Sequence, residues 1–204
     1  MMKKERIGIY GGTFSPPHVG HHCALSAFLQ QERLDHVYVI PTLQPPHKPL
    51  QGDASPQQRL AMCRLAFADL PITVSDIEIK RGGKSYTVLT LEELKREDNT
   101  LVLLCGSDMF LSIDRWYRPE RIFALAEIVY VQREGGEHAE QVAQALAAQA
   151  MRLQQQYGAV TRPLACRAIE ISSTMLRQEL AQGNETSFLS PSVKEYIDQC
   201  QLYT

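Results

Sequence analysis

Gly11-Gly12-Thr13-Phe14-Ser15-Pro16-Pro17-His18-Val19-Gly20-His21 is the stretch on which the reading of this chain turns. It directly follows Ile7–Tyr10, a short apolar run that predicts a buried strand. Beyond it, Leu25, Phe28 and Leu29 fall at i, i+3 and i+4, which predicts a helix from Val19 to about Glu32. The stretch therefore carries the chain from a strand end to a helix start. Gly11 and Gly12 lack a Cβ, so the backbone there can approach a ligand closely. Backbone N–H groups at a helix start favour anions. His18 and His21, three residues apart, share one face of the first helical turn and add imidazole donors. Such a site suits a phosphate chain and the negative charge that develops during phosphoryl transfer. An H-x-x-H pair can also belong to a metal site, but that needs a third ligand, and neither H-E-x-x-H nor paired cysteines are present. No metal ligand is assigned. His22 reads as a neighbour of the pair, and His36 and His138 as surface residues.

Outward from this loop, strand and helix patterns alternate. Val37–Ile40 predicts a strand that stops at Pro41, and Ser55-Pro56 a cap and first turn opening a helix through Ala68. Ile72–Ile79 predicts a strand, Val88–Arg96 a helix, and Leu101–Cys105 a central parallel strand ending at Gly106. Pro119–Leu125 (helix) and Ile128–Val131 (strand) follow, and Gly135-Gly136 break the pattern. Glu137–Tyr157 reads as a helix and Leu164–Ile171 as a last strand. Two C-terminal helices, Thr174–Gln182 and Pro191–Gln199, complete the series. Alternation of this kind implies an α/β fold: a Rossmann-like doubly wound parallel sheet, with a small helical C-terminal piece over about 172–204, in a single domain spanning 1–204. Ligands of such sheets gather at the carboxyl ends of the strands.

Composition narrows the function classes. With 44% hydrophobic and 22% charged residues, the 204-residue chain has ordinary globular composition. A net charge of −2 supplies no basic field for nucleic acid, so an anionic ligand must be held by local donors. The five cysteines stand singly, as reduced core thiols do. Neither a signal peptide nor a membrane span is evident. The expectation is a soluble, cytoplasmic protein with no membrane and no nucleic-acid partner.

Other distinctive segments lie at predicted strand ends or helix starts. Ser172-Ser173-Thr174 at a helix start can cap the helix, or, with Arg177 one turn in, face a triphosphate from the side opposite the histidines. Gly106-Ser107-Asp108 follows a parallel strand, where an Asp can accept from ribose hydroxyls or cap a helix. Lys48, in Pro45-Pro46-His47-Lys48-Pro49, can neutralise a phosphate. Ser85-Tyr86-Thr87 precedes a helix. Trp116, the one Trp, sits in a polar context beside Tyr117 that suits a site rim, where its face can stack on a flat, electron-poor ring.

These segments carry a resemblance. Gly11 to His21 resembles the G-G-T-F-D-P-x-H-x-G-H signature of the H-x-G-H nucleotidyltransferase superfamily, with Ser15 where the usual residue is Asp. Ile171 to Arg177 resembles its I-S-[ST]-T-x-[IV]-R motif. P-P-H-K, S-Y-T, G-x-D and W-Y, together and in this order, are similar to the bacterial nicotinate-mononucleotide adenylyltransferases. The resemblance runs from about Arg6 to Leu202-Tyr203. It implies ATP binding by Gly11, Gly12, Thr13, Phe14, His18, His21, Gly106, Asp108, Ser172, Ser173, Thr174 and Arg177. For nicotinate mononucleotide it implies Lys48, Tyr86, Thr87, Trp116 and Arg133, the last at the start of an R-P-G-like segment in which Glu134 replaces Pro.

The implied reaction joins ATP, with Mg²⁺, to nicotinate mononucleotide, releasing pyrophosphate. The nucleophile is a phosphate oxygen already ionised at neutral pH, so no general base is required. Catalysis falls to alignment and charge neutralisation by His18, His21, Lys48 and Arg177. Two alternatives stay open: a relative using nicotinamide mononucleotide or phosphopantetheine, and a non-catalytic nucleotide-binding protein. A homodimer is compatible with the sequence, and the Glu137–Tyr157 segment has no assigned role. His18→Ala is expected to depress turnover by orders of magnitude with the fold intact; near-wild-type pyrophosphate release by that variant would contradict the phosphate-clamp assignment.

Overall fold

The computed structural model describes residues 4–46, 52–134, 139–167, 169, 171–184 and 186–204, with the main chain alone at 133, 134 and 167. Along the chain the elements are β1 (Glu5–Gly12), α1 (Val19–Gln31), β2 (His36–Pro41), α2 (Pro56–Ala66), β3 (Thr73–Val74), α3 (Ile77–Arg81), α4 (Thr87–Leu94) and β4 (Asn99–Cys105). There follow α5 (Ser107–Phe110), a 3₁₀ turn at Ile113–Arg115, α6 (Pro119–Leu125), β5 (Ala126–Glu134), α7 (Ala139–Tyr157), β6 (Thr161–Arg167), α8 (Ser173–Ala181) and α9 (Pro191–Gln199).

Among the described residues the strands form one parallel sheet in the order β3-β2-β1-β4-β5-β6. This is the doubly wound α/β arrangement, and the order reverses between β1 and β4, so the crevice beyond their carboxyl ends is the switch point. Residue alternation divides the core between the two faces. Ile7, Ile9, Leu101, Leu103 and Cys105 share one face with residues of α4, α6 and α7. Tyr10, Val102 and Leu104 share the other with α1 and Cys63 of α2. A third cluster joins Met62 of α2 to Leu176 of α8, Val193 and Ile197 of α9, and Tyr203. The helical C-terminal piece is thereby packed onto α2.

At the amino ends of the strands, Arg6 and Arg162 each bind both Glu32 and Glu127, at 2.8–3.2 Å. Glu32 caps the far end of α1, so this network fixes that helix on β1, β5 and β6. Its N-terminus, with His18, then lies at the opposite end of the strands.

Two expected strands differ from the structure. Only Thr73–Val74 of Ile72–Ile79 pairs, with Tyr38 and Val39. The Ser75 hydroxyl then accepts from the Ile77 N–H at 3.3 Å and the chain turns into α3, burying Glu78 against the Thr90 hydroxyl at 2.6 Å. A long-range polar contact overrides the apolar alternation. The last strand is Thr161–Arg167 rather than Leu164–Ile171, because its register is set by β5, from Ile128↔Thr161 to Glu134↔Arg167. Pro119–Leu125 and Pro191–Gln199 form where expected, each with Pro in its first turn. Gly135-Gly136 and His138 lie outside the described residues.

All five cysteines are thiols, with Cys63, Cys105 and Cys166 buried. Burial pushes Cys63 up, and Cys105 to about 12, which leaves both unreactive. Among the described residues no helix is long and apolar enough to cross a membrane.

Candidate active site

A cavity of about 520 Å³ opens beyond the carboxyl ends of β1 and β4. The loop after β1 forms one wall. Phe14 turns it, with φ 49° in the left-handed region, and buries its ring against Tyr10 (5.4 Å), Phe67 (6.0 Å) and His21 (5.1 Å). A Cβ on Gly12 would meet that ring at 2.9 Å, so Gly12 is required by the loop's own aromatic plug. Gly11 has no such neighbour and keeps the open backbone expected of it. The Ser15–Pro16 peptide is cis.

His18 and His21 cap α1 reciprocally. His18 Nδ1 accepts from the Gly20 N–H and His21 Nδ1 from the His18 N–H, both at 3.2 Å. An accepting nitrogen carries no proton, so each ring has its proton on Nε2 and is a donor there. The rings lie 3.8 Å apart, and burial, with His18 beside it, holds His21 well below the usual histidine range. His21 is therefore neutral near pH 7: the pair acts through N–H donors and the helix N-terminus rather than through two full charges. Gly20 keeps the turn tight, since a Cβ there would crowd the His18 ring at 3.1 Å.

The start of α8 faces this loop. Ser172 caps the helix by accepting from the Met175 N–H (3.2 Å), Ser173 donates to the Pro16 carbonyl (2.9 Å), and Arg177 donates to the Ser15 carbonyl (2.7 Å) and the Thr174 hydroxyl (3.1 Å). Capping and wall-building are thus one arrangement, and all four residues line the cavity. Ser15, the departure from the signature, is buried, and its hydroxyl lies 3.0 Å from the Tyr203 hydroxyl. Its role is a bond to the C-terminal segment, which Asp53 holds by accepting from the Tyr203 N–H at 3.1 Å.

Opposite lies an aromatic compartment. Tyr86, Thr87 and Trp116 line it as expected, Trp116 half-buried on the edge of the core. Tyr117, part of the W-Y pair but given no role from the sequence, places its ring 4.5 Å from Tyr86. Ser85, also missed, is a clamp: its hydroxyl accepts from the N–H groups of Leu43 (2.9 Å) and Gln44 (3.3 Å), binding the S-Y-T segment to the loop after β2. Pro45 and Pro46 of that loop line the cavity, and Lys48 lies outside the described residues. Arg133 occupies the end of β5, with only its main chain described. Gly106 lines the cavity, but Asp108 does not: the turn into α5 leaves it exposed next to the lining residues Ser107 and Met109. His22 pairs with Asp69 at 3.0 Å, outside the cavity lining.

The depressed His21 predicts a pH effect on stability. In the unfolded chain this histidine gains its proton as pH falls through about 6.5, while the folded chain resists protonation to lower pH. The unfolded state then binds more protons, and stability is lost as pH falls below about 6.5. Between pH 7.5 and 5.5 the urea midpoint of the wild type should fall further than that of His21→Asn; equal falls would contradict a buried neutral His21.

Comparisons with known proteins place the chain in a family. A family model described as Cytidylyltransferase-like matches residues 9–179. A protein of Synechococcus sp. strain JA-2-3B'a(2-13), named "Probable nicotinate-nucleotide adenylyltransferase", is 39% identical over 206 residues, covering 99% of this chain and 98% of its own. A protein of the same name from Roseiflexus sp. strain RS-1 is 40% identical, with 99% and 100% covered. The fold is similar to that of the Plasmodium falciparum nicotinic acid mononucleotide adenylyltransferase, solved in complex with NaAD, at TM-score 0.72 and 18% identity, covering 98% of this chain and 97% of that one. With its strand-to-helix phosphate loop and full-length likeness to these relatives, the chain belongs to the cytidylyltransferase-like family and, within it, to the nicotinate-nucleotide adenylyltransferases.

Proposed function

We propose that the chain transfers the adenylyl group of ATP to the phosphate of nicotinate mononucleotide, giving nicotinate adenine dinucleotide and pyrophosphate in NAD biosynthesis. One observation carries this reading: the capped histidines with the α8 start, and the aromatic compartment with Tyr86, Thr87 and Trp116, line one continuous cavity. A phosphate chain fits the first part and a pyridine ring the second.

In this reading the triphosphate lies between the Nε2–H donors of His18 and His21 and the N–H groups and hydroxyls of Ser172, Ser173 and Thr174, with Arg177 on its flank. The backbone of Gly11 to Phe14 and of Gly106 borders the nucleotide, and Asp108 reaches the ribose from the rim. The acceptor places its ring against Trp116, beside Tyr86 and Thr87, and its phosphate near Lys48; Arg133 meets it from the end of β5. An ionised phosphate oxygen of the acceptor attacks the α-phosphorus in line, the bond to the bridging oxygen breaks, and pyrophosphate leaves carrying that electron pair. The protein contributes alignment and donors fixed in advance, with no covalent intermediate.

Mg²⁺ enters with ATP. In this reading the ion is carried by phosphate oxygens and water. The reduced thiols support a cytoplasmic setting.

Pyrophosphate release from ATP, measured with nicotinate mononucleotide, nicotinamide mononucleotide and phosphopantetheine in turn, should be fastest with the first; no release with any of them would overturn the reading. Trp116→Ala should raise KM for the mononucleotide about fivefold or more and leave KM for ATP within about threefold, the loss of one stacked ring being worth about 1 kcal/mol or more. Equal changes in both constants would argue against stacking.

A further inference from the structure

Arg59 has no counterpart in the motifs read from the sequence. It lies on α2 and is fully buried, the largest such side chain in the described core. A buried guanidinium ordinarily has a carboxylate partner, and among the described residues Arg59 has none. Its bonds go to two main-chain carbonyls, Nη1 to Thr13 O at 2.8 Å and Nη2 to Leu43 O at 3.2 Å, while Nε is buried without a partner.

The position of those carbonyls gives the residue its meaning. β1 and β2 run side by side up to Gly12↔Pro41, and one further bond, from the Thr42 N–H to the Gly12 carbonyl at 2.9 Å, continues the pairing. There the two chains part. The loop after β1 goes to His18, and the loop after β2 goes to Pro45 and Pro46 on the cavity wall. Arg59 donates to one carbonyl of each chain just beyond that point, Thr13 O on one side of the gap and Leu43 O on the other. On the far side of Leu43-Gln44, the Ser85 hydroxyl and the Ser85 N–H, which donates to Gln44 O at 2.9 Å, hold the same two residues.

We infer that Arg59 is a positioning residue for the transfer: its forked guanidinium sets the separation between the loop after β1, which leads to the two histidines of the nucleotide site, and the loop after β2, which Ser85 joins to the Tyr86-Thr87 side of the acceptor compartment. The two loops carry different reactants, so an error in their separation leaves each reactant bound but out of line with the other. A displacement of about 1 Å at such a site costs about a hundredfold in rate. The planar fork is essential, since a lysine ammonium keeps the charge but cannot span two carbonyls in fixed geometry.

This inference rests on the proposed two-substrate reaction, and the test separates the two. Turnover of the wild type with each acceptor decides the reaction; Arg59→Met and Arg59→Lys are then compared with the wild type using whichever acceptor is active. Both variants should lose at least about tenfold in kcat while each KM stays within about threefold. The same split is readable without turnover, as a fall in affinity for nicotinate adenine dinucleotide, which spans both loops, about tenfold larger than any fall for ATP alone. A purely structural role would lower thermal stability and leave kcat of the folded fraction unchanged, and that result would overturn the inference. So would recovery of kcat in Arg59→Lys, which would make charge sufficient, or a loss confined to one KM. If the Arg59 variants do not fold, Ser85→Ala loosens Leu43, the residue the two share, from the other side and must show the kcat-weighted loss; wild-type kcat there would overturn the inference equally.

Discussion

The reciprocal cap between His18 and His21 is the interaction from which the character of the site follows. Each ring gives its Nδ1 to a backbone N–H at the start of α1. That use satisfies donors a helix start leaves open, and it fixes the proton of each imidazole on Nε2. In the proposed function, the residues that build the helix end are also those that meet the ligand. The cost is that desolvation keeps the half-buried His21 neutral, so in the proposed reaction attraction for phosphate comes from aligned dipoles and fixed donors. Such donors need little reorganisation when charge shifts from the α-phosphate to the departing pyrophosphate.

Everything else in the fold delivers partners to that helix start. The sheet reverses its order between β1 and β4, opening a crevice lined by both Gly11 and Gly106. α8 returns its N-terminus to the same place and is bound to the loop after β1 by Ser173 and Arg177. Tyr203, near the C-terminus, closes behind that loop on Ser15. A serine there, in place of the usual carboxylate, is matched by a tyrosine hydroxyl that burial holds in its neutral form, with a pKa pushed up to about 12.

Much of this was legible in the sequence because it rests on local chemistry. Strand-to-helix turns rich in glycine, Ser-Pro starts and continuous apolar strands declare themselves over a few residues, and so did the loop from Gly11 to His21, Ser172 to Arg177, and Tyr86, Thr87 and Trp116. What escaped depends on partners distant in the chain. Arg59 looks like an ordinary surface residue of α2, and only the folded chain shows its carbonyl partners from β1 and β2 loops. Glu78 converts a strand-like run into α3 by bonding Thr90, which alternation of Ile77 and Ile79 conceals. Asp108 sits beside the lining rather than in it, because the direction of a side chain in a four-residue helix is not encoded in its spacing from a strand. Ser85 read as a simple helix start, yet its hydroxyl binds another loop.

The protonation state of the two histidines tests the account most directly. In ¹⁵N-labelled protein, long-range ¹H–¹⁵N correlation of the imidazole rings at pH 7 should show His18 and His21 each as the neutral tautomer with the proton on Nε2. A doubly protonated ring at either position, or a proton on Nδ1, would contradict the reciprocal cap and the phosphate site built on it.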